Sequence, residues 1–313
     1  MRKTLLMALL LASGMAANAQ KSVETTVHSQ DGNLQFVVNK ENGKASYSVI
    51  YKGQTVIEKS PLGLLTDAGD FTQNLEGIPN SGKPTVEQFS YQSQVLKKSN
   101  ISVSANHLII PFHQNGVPVF DLEVMVKNND IAFRYLMKRI PGGKENDSIY
   151  CAVIKDDQTH FNMPAGTKTF LSPQMKGNTG WSRTAPSYEL PYYADDDMGK
   201  NFDGAGFIFP CLFKTPGGWV MVSETGVTSA YCASHLVCEK DGKYKIANPM
   251  DADFNYNGTS APGIPLPGAT PWRTITVGSD LAPIAETTIP WDFVEPLYEP
   301  SKTYDYGAGT WSW

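Results

Sequence analysis

Past its first dozen residues the chain has no apolar run approaching the roughly 20 residues that a membrane-spanning helix requires. Basic runs are absent too. With 26 Lys and Arg against 31 Asp and Glu, a net charge of −5, there is no clustered positive surface for a phosphate backbone, which argues against nucleic acid as a partner. Cysteine is scarce: Cys151, Cys211, Cys232 and Cys238 are too few for a disulfide scaffold in 313 residues. Cys232 and Cys238 are close enough in sequence to pair, but all four read more simply as small buried hydrophobes in strands. No CxxC motif or Cys/His cluster supports a transition-metal site. The five histidines (His28, His107, His113, His160, His235) show no ligand spacing and read as structural. No nucleophile elbow, P-loop, dinucleotide fingerprint or HExxH helix is present. Helical periodicity is confined to one short candidate, Ser279–Glu286, with Ser279 as its N-cap.

What is present begins with a targeting signal. Arg2 and Lys3, the apolar Leu5–Ala12 and the small-x-small Ala17-Asn18-Ala19 form a secretory signal peptide over residues 1–19. Cleavage between Ala19 and Gln20 predicts a soluble, exported protein, periplasmic or secreted. Residue 20 is not cysteine, so no lipoprotein anchor is expected.

The rest reads as strands. Leu34–Asn39, Lys44–Tyr51, Val86–Val95, Ile101–Phe112, Val117–Lys127 and Asp130–Lys138 show alternation or β-branched and aromatic enrichment. Ser148–Lys155, Lys168–Leu171, Gly206–Lys214, Trp219–Glu224, Tyr244–Ala247 and Trp272–Val277 continue it. Asn42-Gly43 and Asp241-Gly242 read as tight hairpins, and Lys52-Gly53 and Asn115-Gly116 as further turns. So many strands at this spacing predict an all-β fold, a large antiparallel sandwich. Asn255–Thr270, rich in Gly and Pro, reads as a surface excursion, and Asn257-Gly258-Thr259 within it matches a glycosylation sequon.

One stretch stands out against the scaffold. Ser172–Asp203 is too long for an idle connection. Within it Glu189 sits among Trp181, Tyr188, Tyr192 and Tyr193, with Pro173, Pro186 and Pro191 restricting the backbone. Aromatic rings suit stacking on a sugar face, and a carboxylate among them suits a hard cation or a sugar hydroxyl. Asp195-Asp196-Asp197 could supply cation ligands, although adjacent carboxylates point in different directions and such runs are usually solvated. Glu224, at the end of a strand, reads as an exposed carboxylate or one facing a cleft. Glycoside hydrolysis takes a pair of carboxylates flanking the sugar, and no convincing second member accompanies Glu189.

Taken in order, several segments resemble the N-terminal part of glycoside hydrolase family 97, exported bacterial α-glucosidases and α-galactosidases. They are Ser29–Leu64 (SQDGNLQFVVNKENGKASYSVIYKGQTVIEKSPLGL), Ile131–Tyr135 (IAFRY), Gly180-Trp181 with Pro186–Glu189 (PSYE), and Pro271–Ile275 (PWRTI) with Asp280-Leu281. The resemblance implies a galactose-mutarotase-like β-super-sandwich over residues 20–295. A linker and the first strand of a (β/α)8 barrel would follow over 296–313, with Thr310–Trp313 opening that barrel and the remainder truncated. The catalytic residues would all lie on the missing barrel, so none is assigned in this chain. Glu189 would be a Ca2+ ligand shared with barrel carboxylates, and Trp181 and Tyr188 would line the substrate. Where relatives place a second acidic residue after that glutamate, this chain has Leu190. The implied partners are an α-linked oligosaccharide and the chain's own barrel. A stand-alone carbohydrate-binding sandwich is the alternative reading.

Overall fold

The computed structural model describes residues 22–78, 82–93, 96–142, 148–174, 191–200, 206–239, 242–249 and 261–295, together with 302, 303, 305 and 307–310. The signal peptide, Trp181, Tyr188, Glu189, Asp241, the Asn257 sequon and Trp311–Trp313 lie outside the described residues.

The first four strands, β1 (Val23–His28), β2 (Leu34–Glu41), β3 (Lys44–Tyr51) and β4 (Gln54–Pro61), form an antiparallel meander. Asn42-Gly43 turns β2 into β3 with both residues at positive φ (53° and 71°), and Lys52-Gly53 turns β3 into β4 likewise (50° and 79°). Such two-residue turns match the natural twist of a hairpin and fix its register, here Glu41 opposite Lys44 and Tyr51 opposite Gln54.

Further strands follow in β5 (Leu64–Thr66), β6 (Glu76–Gly77), β7 (Thr85–Gln92), β8 (Asn100–Gln114), β9 (Val117–Val126) and β10 (Asp130–Met137). Then come β11 (Ile140–Pro141), β12 (Ser148–Ile149), β13 (Cys151–Asp157), β14 (His160–Asn162) and β15 (Lys168–Pro173). The second half supplies β16 (Tyr193–Asp197), β17 (Phe207–Thr215), β18 (Gly218–Thr225), β19 (His235–Cys238) and β20 (Lys243–Ala247). It ends with β21 (Gly263–Pro265), β22 (Gly268–Ala269), β23 (Trp272–Gly278) and two short helices, α1 (Ala282–Glu286) and α2 (Ile289–Asp292).

A 14-stranded sheet runs β14-β20-β19-β17-β18-β23-β10-β9-β8-β6, with β15 and β16 beside β17, β22 beside β10 and β7 beside β8. The meander packs on it face to face. Phe36 of β2 and Tyr47 of β3 meet Phe133 of β10 at 5.3 and 5.2 Å between ring centroids, and Tyr47 meets Phe161 of β14 edge-on at 6.3 Å. One continuous apolar core runs between the sheets. Strand β23 is buried at every position, as befits the middle of a wide sheet covered on both faces. The expected antiparallel sandwich is the observed fold.

Several local expectations need correcting. The helix begins at Ala282 with Leu281, not Ser279, as its N-cap; Asp280 Oδ1 accepts the Ala282 N–H at 2.9 Å, while Ser279 Oγ takes Lys52 Nζ. The run Ser148–Lys155 splits into β12 and β13 at Tyr150, which is exposed. The second half of Asn255–Thr270 is no surface excursion: β21 pairs with β13, β22 pairs with β10, and Ile264 and Leu266 are buried. All four cysteines are free thiols. Cys211 and Cys238 are buried, Cys232 is partly so, and Cys151 is exposed.

Candidate functional site

The Ser172–Asp203 stretch is shorter as a loop than its sequence implies. Strand β15 continues through Pro173, and Tyr193–Asp197 form β16, which pairs back on it with Leu171 opposite Tyr193 and Lys168 opposite Asp197. The segment 175–190, with Trp181, Tyr188 and Glu189, therefore springs from a hairpin stem; it lies outside the described residues. Where the chain returns, Tyr192 and Tyr193 are exposed, and the Tyr192 hydroxyl reaches Pro210 O at 3.4 Å.

The three aspartates of β16 serve the stem. Asp197 pairs with Lys168 at 2.7 Å and Asp196 with Lys200 at 2.5 Å, while Asp195 takes a positive φ of 59° where the register shifts. The hydrogen bond and charge of Lys168 hold the Asp197 carboxyl below its ordinary value, and Asp197 in turn raises the Lys168 ammonium. Among the described residues no group of three His, Cys, Asp or Glu side chains converges to hold a metal.

Beneath the stem the backbone is tightly packed. Gln174 N–H donates to Gly206 O at 2.7 Å, Pro173 lies opposite Phe207, and Phe207 lies opposite Leu236. Gly206 has φ +120°, and a Cβ there would run into Leu236 O. Glycine is the residue this close approach requires.

Two residues before Leu236, Ser234 joins a buried charge cluster. Arg273 of β23, 1% exposed, donates Nη2 to Asp157 Oδ2 at 2.9 Å and Nη1 to the carboxylate of Glu224. Glu224 Oε1 and Oε2 also accept Ser234 N–H at 2.6 Å and Ser234 Oγ–H at 2.7 Å. Burial alone would lower the Arg273 pKa; Asp157 and Glu224 more than reverse this and hold it above the ordinary value. The nearby Tyr231 hydroxyl is buried without a hydrogen-bond partner, and burial, followed by the charge of Asp157, pushes its pKa well up. Glu224 is thus neither exposed nor in a cleft. It lies opposite Arg273 in the β18–β23 ladder, paired with that guanidinium and with both oxygens occupied.

Helix α2 is held against the sheet by several side chains. Lys127 Nζ contacts Asp292 Oδ2 at 2.5 Å and Asp130 Oδ2 at 3.0 Å, and Tyr91 O–H donates to Asp292 Oδ1 at 2.9 Å. Trp272 Nε1–H donates to Phe293 O at 3.1 Å, Thr225 Oγ1–H donates to Pro290 O at 2.6 Å, and Arg134 lies over the Trp272 ring at 4.0 Å. Helix α2 is thus fastened across the sheet, from Thr225 and Trp272 to Lys127 and Tyr91.

Sequence reasoning missed Arg273, Asp157 and Ser234. The available signal was an arginine inside an otherwise apolar, β-branched strand: such a side chain must find buried carboxylates, and Glu224 was the one to test.

The described architecture is that of a β-sandwich domain. Its fold matches that of a crystal structure of a beta-arabinopyranosidase, with a TM-score of 0.78 and 44% identity over 90% of this chain and 44% of that one. It also matches a Glycoside Hydrolase Family 97 enzyme of Pseudoalteromonas sp. in complex with panose, with a TM-score of 0.72 and 20% identity over 87% of this chain and 38% of that one. A curated relative, a probable retaining alpha-galactosidase of Streptomyces bingchenggensis, is 24% identical over 87% of this chain and 38% of its own length. The chain belongs to the Glycosyl-hydrolase 97 N-terminal family, whose model matches residues 27–296. It spans less than half the length of the relatives it resembles.

Proposed function

We propose that this chain is the exported N-terminal sandwich domain of a calcium-dependent glycoside hydrolase, supporting a catalytic barrel and lending one loop to its active site. The observation that carries the reading is the family match over residues 27–296 together with the partial coverage of each relative. The fastening of α2 supports it, because a following domain would then start from a fixed point on the sheet. Catalytic carboxylates belong to the barrel in this reading.

Glu189 offers a hard oxygen donor of the kind Ca2+ prefers, and one carboxylate fits as a single ligand among the roughly six to eight the ion takes. This chain would then bind the ion weakly unless barrel carboxylates complete the set. Bound calcium would supply positive charge beside the sugar. Trp181 and Tyr188 would pack against the sugar's apolar face.

We infer a galacto-configured substrate from the two relatives named for their substrates. A β-L-arabinopyranoside is an α-D-galactoside without its hydroxymethyl group, so the two names describe one set of hydroxyl orientations.

The test uses the full-length enzyme on p-nitrophenyl α-galactoside, α-glucoside and β-L-arabinopyranoside, with and without a calcium chelator. Wild type should cleave the galacto-configured pair and lose activity on chelation, and Glu189→Gln should lose most turnover and its calcium dependence. Unchanged kinetics in that variant would sink the role of the loop. Cleavage of the α-glucoside alone would overturn the substrate class.

A further inference from the structure

The opposite end of the same strands carries a second feature. A cleft of about 360 Å3 opens where the β3–β4 and β17–β18 turns meet, lined by Tyr51, Lys52, Gln54, Lys214, Trp219 and Ser279 among others. Its size falls within the range of roughly 300–1,000 Å3 typical of small-ligand sites.

The lining is polar and one-signed. Two lysines face the cleft, and none of its ten lining residues is acidic. Each ammonium is held by an aromatic ring rather than by a carboxylate: Lys52 Nζ lies 5.1 Å from the Tyr51 ring centroid and Lys214 Nζ 5.4 Å from that of Trp219. Lys52 also donates to Ser279 Oγ at 2.9 Å. Among the described residues neither lysine forms an ion pair, although Lys59, Lys127, Lys138, Lys168, Lys200 and Lys245 do. Cation–π contact at such a site is weak and leaves ammonium protons available to an anion.

The walls are rigid. Thr215 Oγ1–H donates to Gly218 O at 2.9 Å and accepts Gly217 N–H at 3.2 Å, closing the β17–β18 turn. Gly218 has φ +147° and sits so close to β23 that a Cβ would lie 2.7 Å from Gly278 O. A Cβ on Gly217 would lie 2.9 Å from Val56 Cγ1 and 3.1 Å from Gln54 Cβ, so the turn is pressed against β4. Trp219 is braced from its other side by Phe170, at 5.2 Å between centroids.

Position separates this cleft from the candidate active-site loop. On β17 the cleft end is Thr215, whereas the loop stem meets Phe207. On β23 the cleft end is Gly278, opposite Trp219, and Trp272 is at the other end, opposite Thr225. The loop stem therefore lies at one end of β17 and the cationic cleft at the other.

We propose that this cleft is a second saccharide site, specific for a sugar bearing a carboxylate, such as a uronide. The carboxylate is taken by the Lys52 and Lys214 ammoniums, and the Gln54 amide with the Ser279 hydroxyl offers partners for ring hydroxyls. The site would hold the protein on acidic polysaccharide independently of any hydrolysis at the opposite end.

Isothermal titration of the full-length protein with D-glucuronate, D-glucose and acetate tests the proposal. Saturable binding is expected for glucuronate, at least tenfold weaker for glucose and for acetate. Lys214→Gln and Lys52→Gln, both exposed and outside the core, should each weaken glucuronate about tenfold while leaving glycosidase activity unchanged. Equal affinity for glucose, equal affinity for acetate, or glucuronate binding indifferent to both substitutions would overturn it, as would the absence of binding in folded wild type.

Discussion

Arg273 and Asp157 are 116 positions apart in the chain and 2.9 Å apart in the fold, both 1% exposed. Their contact ties the end of β13 to the start of β23, and Glu224 extends the tie to β18 and Ser234. Ser234 stands two residues from Leu236, against which the stem of the Glu189 loop packs. The cluster is thus a strut beneath the candidate site rather than a part of its chemistry.

Replacing Arg273 by Met should cost about 3–5 kcal/mol, because it leaves two buried carboxylates without a counter-charge. Urea unfolding midpoints at neutral pH measure this. Adding Asp157→Asn and Glu224→Gln to the same chain should recover part of the loss, since neutral amides are less costly to bury unpaired than charges. A triple variant no more stable than Arg273→Met would show that packing of the guanidinium, not its charge, is what matters.

Gly206→Ala tests the floor of the stem. A residue with a side chain at φ +120° is strained by about 1–3 kcal/mol, and the clash with Leu236 O adds to this. Gly116→Ala is the matched control: it also has positive φ, 76°, but open space around it. The Gly206 variant should unfold at lower urea than the control and be cut faster by protease within residues 175–190. Equal midpoints and equal cleavage would remove the close approach as a constraint on the loop.

How far these features could be read from the sequence depended on how local their causes are. The Asn42-Gly43 hairpin was legible because two consecutive positive φ values favour Asn-Gly whatever surrounds it, and Gly53 marked the Lys52-Gly53 turn. Strand β4 was not, because register shifts against β3 break its alternation and put Glu58 and Lys59 side by side on the outside. Strand β16 was hidden because three aspartates are poor strand formers; it forms as an edge ladder with charge partners on Lys168 and Lys200. Glu224 looked like a surface residue because its partner lies 49 positions away. Only the alignment of β18 with β23 brings the two together.

The buried tyrosines set the alkaline limit of the domain. Tyr47 is fully buried and donates to His160 O at 2.7 Å; Tyr135 is 1% exposed and shares its hydroxyl with Gly63 N–H and Thr159 Oγ1, both at 2.9 Å. Burial raises the pKa of both above the ordinary tyrosine value, and neighbouring negative charge raises them further. Burial does the same for Tyr231, Tyr244 and the Cys211 thiol. In each the neutral form is favoured by folding. The stability they contribute is therefore fully present below their unfolded values, about 8.5 for cysteine and about 10 for tyrosine, and is lost as pH rises beyond them. Each such group removes about 1.4 kcal/mol per pH unit once its unfolded form ionises. Unfolding midpoints should hold from neutrality to about pH 8.5, decline gently as Cys211 enters, and fall steeply above about pH 10. Phenolate absorbance should rise in two stages, exposed tyrosines first and the buried ones only as the sandwich opens. If all fourteen tyrosines ionised together near pH ~10 with the fold intact, the buried hydroxyls would not be under the restraint described here. Tyr135→Phe sharpens the test: it removes one late-ionising phenol and leaves Gly63 N–H without its acceptor. Its midpoint should fall by about 1–3 kcal/mol at neutral pH, and its alkaline decline should be shallower than that of the wild type.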